Sequence, residues 1–170
     1  MPDSESIIKS SIAKNLIEEL LKASGRRVYR LGADFILENI TQNEEEFDRD
    51  SAAGKKIAAI PDYLVFDTDN MPLFIDVKFR RNPGSLEEEL LLEKEIKEKY
   101  WETRLILVTT AEKPYFRLLI PPYFSSDQRD GWLLPVARWQ ALEKVKNFGI
   151  DLVQLKRFEQ MAEKYYRLTP

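Results

Sequence analysis

The most informative stretch of the sequence is a pair of apolar runs separated by a short polar turn. Residues 63–66 and 73–79 are rich in aromatic and branched side chains, which favour β-strands. Residues 67–70 between them contain the Asp and Asn residues typical of turns. The pattern therefore predicts a β-hairpin, with Pro61 at the start of its first strand, where a missing N–H costs least.

Charged residues interrupt this hairpin at positions where a core would require apolar side chains. Asp76 and Lys78 share one face of the second strand with Phe74, because side chains alternate along a strand. The opposite face carries Leu73, Ile75, Val77 and Phe79. A hairpin centred on Asp69 places Asp62 directly opposite Asp76, with Cβ atoms about 5 Å apart. Like charges repel at this distance, and a divalent cation would remove the repulsion.

These residues have the chemistry of a magnesium site. Two carboxylates, Asp62 and Asp76, and the backbone carbonyl of Val77 are hard oxygen ligands, which suit Mg²⁺ or Mn²⁺. Lys78 lies beside them, where its ammonium group can hold a water molecule or a scissile phosphate. The arrangement indicates phosphodiester hydrolysis. The alternative interpretation is an ordinary hairpin with a solvated polar face.

The sequence Pro61-Asp62 followed by Asp76-Val77-Lys78 resembles the signature of the PD-(D/E)XK nuclease superfamily, which includes restriction endonucleases, archaeal-type Holliday junction resolvases and repair nucleases. The resemblance implies an α/β fold with a restriction-endonuclease-like core, in which helices flank a central mixed sheet. It implies a metal-dependent DNA endonuclease, with the metal on Asp62, Asp76 and Val77 and with Lys78 assisting catalysis. A duplex or branched DNA substrate and a homodimer follow by the same analogy.

Families of this kind often supply a third carboxylate from the first helix. Residues 5–24 have the apolar periodicity of a helix, and Glu18 and Glu19 are the candidates in it. A helical wheel places Glu19 at the border of the apolar face and Glu18 in the middle of the polar face, so Glu19 is preferred as a catalytic helper. Alignment with resolvase-type relatives places Lys14 where a glutamate would stand. The alternative is that both glutamates are surface helix formers.

A second helix is predicted from Ser85, a candidate N-cap, to about residue 100. Its apolar stripe consists of Leu86, Leu90, Leu92, Ile96 and Tyr100. Glu89, Glu93 and Lys97 fall inside this stripe. In some members of the superfamily a catalytic residue has moved onto this helix, so Glu89 and Glu93 are secondary site candidates. The alternative is a ladder of salt bridges at i,i+4 spacing.

Composition narrows the chemistry further. The chain has no cysteine and no histidine, which excludes disulfides, thiolate zinc sites, Ser-His-Asp triads and histidine-based metal nucleases. Its net charge of −3 is unlike that of most nucleic-acid-binding proteins, so any such interface must be local. Lys55, Lys56, Arg80 and Arg81 flank the hairpin and are the candidates for contact with a nucleic-acid backbone. Solvated surface charge is the alternative for each of them.

The remaining segments predict one domain, residues 1–170, with a core at about 5–120 and a C-terminal helical extension at about 137–168. Strands are predicted at residues 27–31, 104–110, 115–120 and 133–136. Helices are predicted at residues 139–148, ended by Gly149, and after an Asp151 cap. The stripe of the last helix is Leu155, Phe158, Met161, Ala162 and Tyr165.

No apolar run reaches the ~18 residues that span a membrane, and the N-terminus has no apolar signal core, so we expect a cytoplasmic protein without membrane contact. Three hypotheses follow for the whole chain, and the third is an unrelated α/β scaffold in which the motif occurs by chance. The first is the Mg²⁺-dependent DNA endonuclease. The second is a non-catalytic member of the same fold that acts as a binding or assembly subunit, as the acidic composition and the lysine at position 14 suggest.

Overall fold

The structure, a computed structural model, describes residues 3–32, 48–81, 86–124 and 139–167. Within these residues, six strands form one mixed sheet in sequence order. They are β1 (Arg27–Arg30), β2 (Tyr63–Phe66), β3 (Pro72–Phe79), β4 (Arg104–Val108), β5 (Phe116–Leu119) and β6 (Gln140–Ala141). β3 and β4 are parallel, and all other neighbours are antiparallel. The predicted α/β class with a mixed sheet is confirmed, whereas the strand at 133–136 and the Ser85 cap lie outside the described residues.

Helices flank this sheet. They are α1 (Ser4–Ala23), α2 (Ala52–Ala58), α3 (Leu86–Lys94), which continues as a π-helix over Glu95–Tyr100, and α4 (Leu152–Arg167). α1 starts at Asp3, whose side chain accepts a hydrogen bond from the Ser6 N–H at 2.7 Å. It ends at Gly25, whose φ of +82° allows the chain to turn back onto the last turn of the helix. None of the helices in the described residues is long and apolar enough to cross a membrane.

The β2–β3 hairpin has the predicted register. Tyr63 pairs with Ile75 and Phe66 pairs with Pro72, so Asp62 and Asp76 are the next opposed pair. Asp67 holds the turn: its Oδ1 accepts hydrogen bonds at 2.9 Å from the N–H groups of residues 69 and 71. The turn fixes this register and so places Asp62 opposite Asp76, and a slip of one residue would move the buried side chains of β3 to the other face.

Each face of the sheet carries its own apolar cluster. On β3, Ile75, Val77 and Phe79 face the cluster that includes α1 and α4, as the alternation predicted. In that cluster Ile17 on α1 is fully buried, and burial of one such side chain contributes roughly 1.5–3 kcal/mol. The other cluster includes Leu90 of α3 against β4 and β5. Asp76 and Lys78 thus lie on the face of β3 that is turned away from the α1 and α4 cluster.

The helix predicted at residues 139–148 is wrong. This segment contains β6 and two short 3₁₀ turns, Leu142–Lys144 and Lys146–Phe148. The apolar residues Leu142, Val145 and Phe148 recur every third position, which matches the 3₁₀ period as well as one turn of an α-helix. Gly149 ends the segment with a φ of +53°.

The last helix is confirmed, with one change to its buried face. The Asp151 carboxylate caps α4 by accepting hydrogen bonds from the N–H groups of Val153 at 2.8 Å and Gln154 at 3.1 Å. Tyr166 rather than Tyr165 is buried, and its ring stacks on Phe79 with centroids 4.1 Å apart.

Substitution of Asp67 tests how the turn stabilises the hairpin. We expect Asp67→Ala to lower the free energy of unfolding by about 1–3 kcal/mol, because two backbone N–H groups of the turn lose their acceptor. Asp69→Ala is the matched control, since Asp69 is an exposed aspartate in the same turn, and its effect should stay within about 0.5 kcal/mol. Urea unfolding measures both, and equal effects would contradict this role of Asp67.

Candidate functional site

Main-chain N–H groups hold the Asp62 and Asp76 carboxylates side by side. The Asp62 N–H donates to Asp76 Oδ1 at 2.9 Å, and the Val77 N–H donates to Asp62 Oδ2 at 2.8 Å. Asp76 is only 2% exposed, and Asp62 is partly buried. Each carboxylate therefore has one oxygen fixed by a main-chain donor, which orients the pair without the help of a flexible side chain.

The other oxygen of each aspartate contacts a lysine ammonium group. Lys14 Nζ, on α1, lies 2.7 Å from Asp62 Oδ1. Lys97 Nζ, on the π-helical segment, forms an ion pair with Asp76 Oδ2 and lies 3.1 Å from Glu93 Oε2. Lys14 thus brings a positive charge to the place where the resemblance expects a glutamate. The repulsion predicted between the two aspartates is offset by two internal cations.

The protonation equilibria reflect this charge arrangement. Burial is the main cause that raises the pKa of Asp62, and the neighbouring charge of Asp76 raises it further. Burial alone would lower the pKa of Lys97, but the negative charges of Asp76 and Glu93 outweigh it and raise the pKa. Lys97 therefore keeps its charge at neutral pH although it is almost completely buried.

The wheel places Lys97 inside the predicted stripe, but its ion pair with Asp76 was not predicted, because the two residues lie on different elements. A π-helix has more residues per turn than an α-helix, so the face assigned on a 100° wheel shifts after Lys94. Tyr100, in the π-helical part, is 56% exposed although it belongs to the predicted stripe. Leu92, in the α-helical part before Lys94, is also exposed, at 89%. A usable signal was present: three charged residues fell inside an apolar stripe.

Glu89 and Glu93, the secondary candidates, take separate positions. Glu93 lines the cleft described below and contacts Lys97, as the i,i+4 alternative predicted. Glu89 does not extend that ladder. Its two carboxylate oxygens bind Lys78 Nζ and Arg80 Nη2, one each. Burial would raise the pKa of Glu89, but Lys78 and Arg80 outweigh that effect and lower it.

The preference for Glu19 over Glu18 is wrong as a statement of position. Glu19 has a 60% exposed side chain and lies 3.6 Å from Lys22 Nζ. Glu18 is only 3% exposed and accepts hydrogen bonds from Lys22 Nζ at 2.6 Å and Arg30 Nε at 2.7 Å. It also accepts from the Tyr63 hydroxyl at 3.3 Å. Neither glutamate contacts the aspartate pair. Glu18 is held by Arg30 of β1 and Tyr63 of β2, and Glu19 points toward solvent beside Lys22.

The aspartate pair opens into a cleft of about 1030 Å³ between α1, the end of β3 and the 86–100 helix. Among the described residues that line it, Lys and Arg outnumber Asp and Glu although the chain as a whole is acidic. The cations are Lys9, Lys14, Lys78, Arg80, Arg81 and Lys97, and the acids are Asp62, Asp76 and Glu93. Of the candidates for nucleic-acid contact, Arg80 and Arg81 line this cleft. Lys55 and Lys56 are exposed on α2 and do not line it, and Lys56 Nζ lies 4.5 Å from the Tyr100 ring centroid.

The donor set of the aspartate pair fits a divalent cation in its chemistry. Mg²⁺ is commonly bound by one or two carboxylates and several waters, and each carboxylate oxygen of Asp62 and Asp76 retains a lone pair beyond its present contact. The backbone N–H contacts leave both carboxylates fixed and adjacent. Across the described part of the chain, however, no group of three Asp or Glu residues converges, and Lys14 and Lys97 share the available oxygens.

Comparisons with known proteins do not identify a relative. No protein-family model matches the chain, and no curated protein or solved structure matches it either.

Breaking the buried ion pair tests its contribution to stability. We expect Lys97→Met to reduce the free energy of unfolding by about 3–5 kcal/mol, because Asp76 would remain buried with an uncompensated charge. The double variant Asp76→Asn/Lys97→Met should recover most of this loss. Lys99→Met, a 63% exposed lysine in the same π-helical segment, is the control and should cost less than about 1 kcal/mol. Thermal and urea unfolding measure all three, and equal losses for Lys97→Met and Lys99→Met would contradict the assignment.

The pH dependence of stability tests the buried Glu18. Burial by itself would raise the pKa of Glu18, but the Lys22 and Arg30 hydrogen bonds lower it. A lowered pKa means that the ionised carboxylate stabilises the fold above the ordinary glutamate pKa, and that this contribution is lost as the pH falls through the lowered value. Glu18→Gln should therefore cost about 1–2 kcal/mol at pH 7, since its cationic partners are partly solvated, and the difference should shrink toward pH 3. Glu19→Gln is the control, and a Glu18→Gln effect that is constant with pH would contradict the prediction.

Proposed function

We propose that the cleft binds a polynucleotide and hydrolyses its phosphodiester backbone, as a divalent-metal-dependent DNA endonuclease. The observation that carries the proposal is the pair of aspartates fixed side by side at the base of a cation-lined cleft. Carboxylate pairs of this kind bind Mg²⁺ or Mn²⁺, and a predominantly basic wall attracts phosphates. The proposal includes a restriction-endonuclease-like core, a cytoplasmic location and a homodimer that acts on two strands, all by the resemblance.

Specific residues take specific roles in this proposal. Asp62, Asp76 and the Val77 carbonyl would hold the cation, which when bound supplies an activated water and neutralises charge on the phosphate. Lys78 and Arg80 bind phosphate oxygens from the cleft wall. Lys97 holds the Asp76 carboxylate in place through their ion pair.

A second candidate function is a non-catalytic polynucleotide-binding subunit of the same fold. The pairing of Lys14 with Asp62 and of Lys97 with Asp76 favours it, because two ammonium groups already compensate both carboxylates. In this alternative the charges stabilise the cleft and no metal enters. The two candidates share the substrate class and differ in whether a divalent cation binds.

Asp62→Asn is the decisive variant for the hydrolytic proposal. Asp62 is less buried than Asp76, so its removal disturbs the fold less than breaking the Asp76–Lys97 pair. We expect wild type to cleave plasmid or branched DNA with Mg²⁺ or Mn²⁺, and Asp62→Asn to lose at least about 100-fold in rate, because it removes a metal ligand. Asp69→Asn, an exposed aspartate of the same hairpin, is the control and should cleave like wild type.

Calorimetric titration of Mn²⁺ separates the two candidates. The hydrolytic proposal expects binding to wild type and to Asp69→Asn but not to Asp62→Asn. Cleavage that is unchanged in Asp62→Asn would show that the activity arises elsewhere. DNA binding by wild type without metal uptake, even when DNA is present, would select the non-catalytic candidate.

A further inference from the structure

Three charged residues at alternate positions follow one another at the end of β3. Asp76 and Lys78 leave β3 on the same side about 7 Å apart, and Arg80 directly follows the last residue of the strand. All three line the cleft. Lys78 and Arg80 are therefore the cations that follow Asp76 along this wall of the cleft.

Glu89 connects the two cations of this series. One oxygen of its carboxylate accepts from Lys78 Nζ, and the other accepts from Arg80 Nη2. Arg80 is fixed further because its Nη1 donates to the Phe79 carbonyl at 2.7 Å. The three side chains are 20–31% exposed, so their contacts are partly shielded from water.

The carboxylate does not take the place of a ligand in the cleft. Lys78 and Arg80 line the cleft, whereas Glu89 is not among its described lining residues. Lysine has three N–H donors and arginine has five. The contacts with Glu89 and Phe79 use one donor of Lys78 and two of Arg80, so N–H groups of both remain for a ligand.

We propose that Glu89 is a positioning residue that holds Lys78 and Arg80 as a clamp for one phosphate group beside the aspartate pair. The inference rests on the proposed function, since it names the part of the cleft that binds the polynucleotide backbone. A flexible lysine and arginine lose side-chain entropy when they bind a phosphate. Glu89 orders both before the ligand arrives, and their binding is stronger for that reason.

The clamp makes a prediction of opposite sign to simple charge counting. Removal of the Glu89 charge makes the cleft more positive, so electrostatic attraction alone would tighten the binding of DNA. Loss of a positioning group would weaken it. A carboxylate that merely competes with phosphate for the two cations would also give tighter binding on removal.

The experiment is fluorescence anisotropy of a labelled short duplex DNA in EDTA, where no cleavage occurs. We expect Glu89→Gln to weaken binding about 3- to 10-fold, the effect of losing one charge-assisted contact. The plot of log K against log salt should become less steep, with the magnitude of its negative slope reduced by about 0.9, the value for one lost phosphate contact. Glu88→Gln, an exposed glutamate on the same helix, makes the same charge change and should bind as tightly as wild type or slightly tighter.

Arg80→Lys provides a second variant that leaves Glu89 in place. It keeps the charge but removes the planar group that Phe79 and Glu89 fix, so binding should weaken if the clamp is correct. Equal or tighter binding by Glu89→Gln, or wild-type binding by Arg80→Lys, would overturn the inference. If wild type binds no DNA, both the clamp and the proposed function are wrong. If wild type binds with the expected variant effects but never cleaves with Mg²⁺, the clamp stands and hydrolysis is rejected.

Discussion

The structure depends on how two opposed aspartates are kept adjacent within a folded core. The hairpin register places Asp62 and Asp76 opposite each other, and burial makes their mutual repulsion stronger than it would be in water. Two lysines from two different helices, Lys14 and Lys97, offset this repulsion by pairing with Asp62 and Asp76. These contacts tie α1 and the 86–100 helix to the same two strands. The charges that define the candidate site therefore also connect the hairpin to the helices that enclose it.

The same arrangement allows the two proposed activities, polynucleotide binding and hydrolysis, to be separated. Lys78, on β3, and Arg80, directly after it, line the cleft and are both paired with Glu89. Neither cation needs a metal ion to contact a phosphate. Asp62 and Asp76 have oxygens that can accept a cation, but ammonium groups already contact them. In the proposed function, the electrostatic balance between Lys97 and a divalent ion would decide whether the cleft hydrolyses a bound strand or only holds it.

The hairpin and the opposed positions of its two aspartates could be predicted from the sequence, because side chains alternate strictly along a strand. The turn residues fix the centre, and a period of two then determines which residues face each other. The capped ends of α1 and α4 were predictable for a similar reason, since Gly25 and Asp151 act through local backbone geometry. In each case the information lies within a few neighbouring residues.

The errors arise where distant elements decide the outcome. Glu18 is buried because Arg30 and Tyr63 approach it from β1 and β2. A helical wheel of α1 shows only residues of that helix, so it could not reveal these two partners. The segment after β6 has apolar residues at a spacing of three, which α- and 3₁₀-helices share until packing selects one of them. The contact between Glu89 and the β3 cations joins residues on different elements, so a ladder within one helix was the nearest local alternative.

The π-helical segment makes the number of residues in the 86–100 helix as important as their identity. Lys97, which pairs with Asp76, lies within the wide turn over Glu95–Tyr100, where the chain advances by less than an α-helical angle per residue. Deletion of one residue from this segment would rotate the side chains that follow it by about 100° around the helix axis. Insertions and deletions in this helix can therefore exchange one charged side chain for another at the aspartate pair, while every other residue of the site stays the same. Homologues that differ in length here would differ in the charge of their sites even where the two strands are identical.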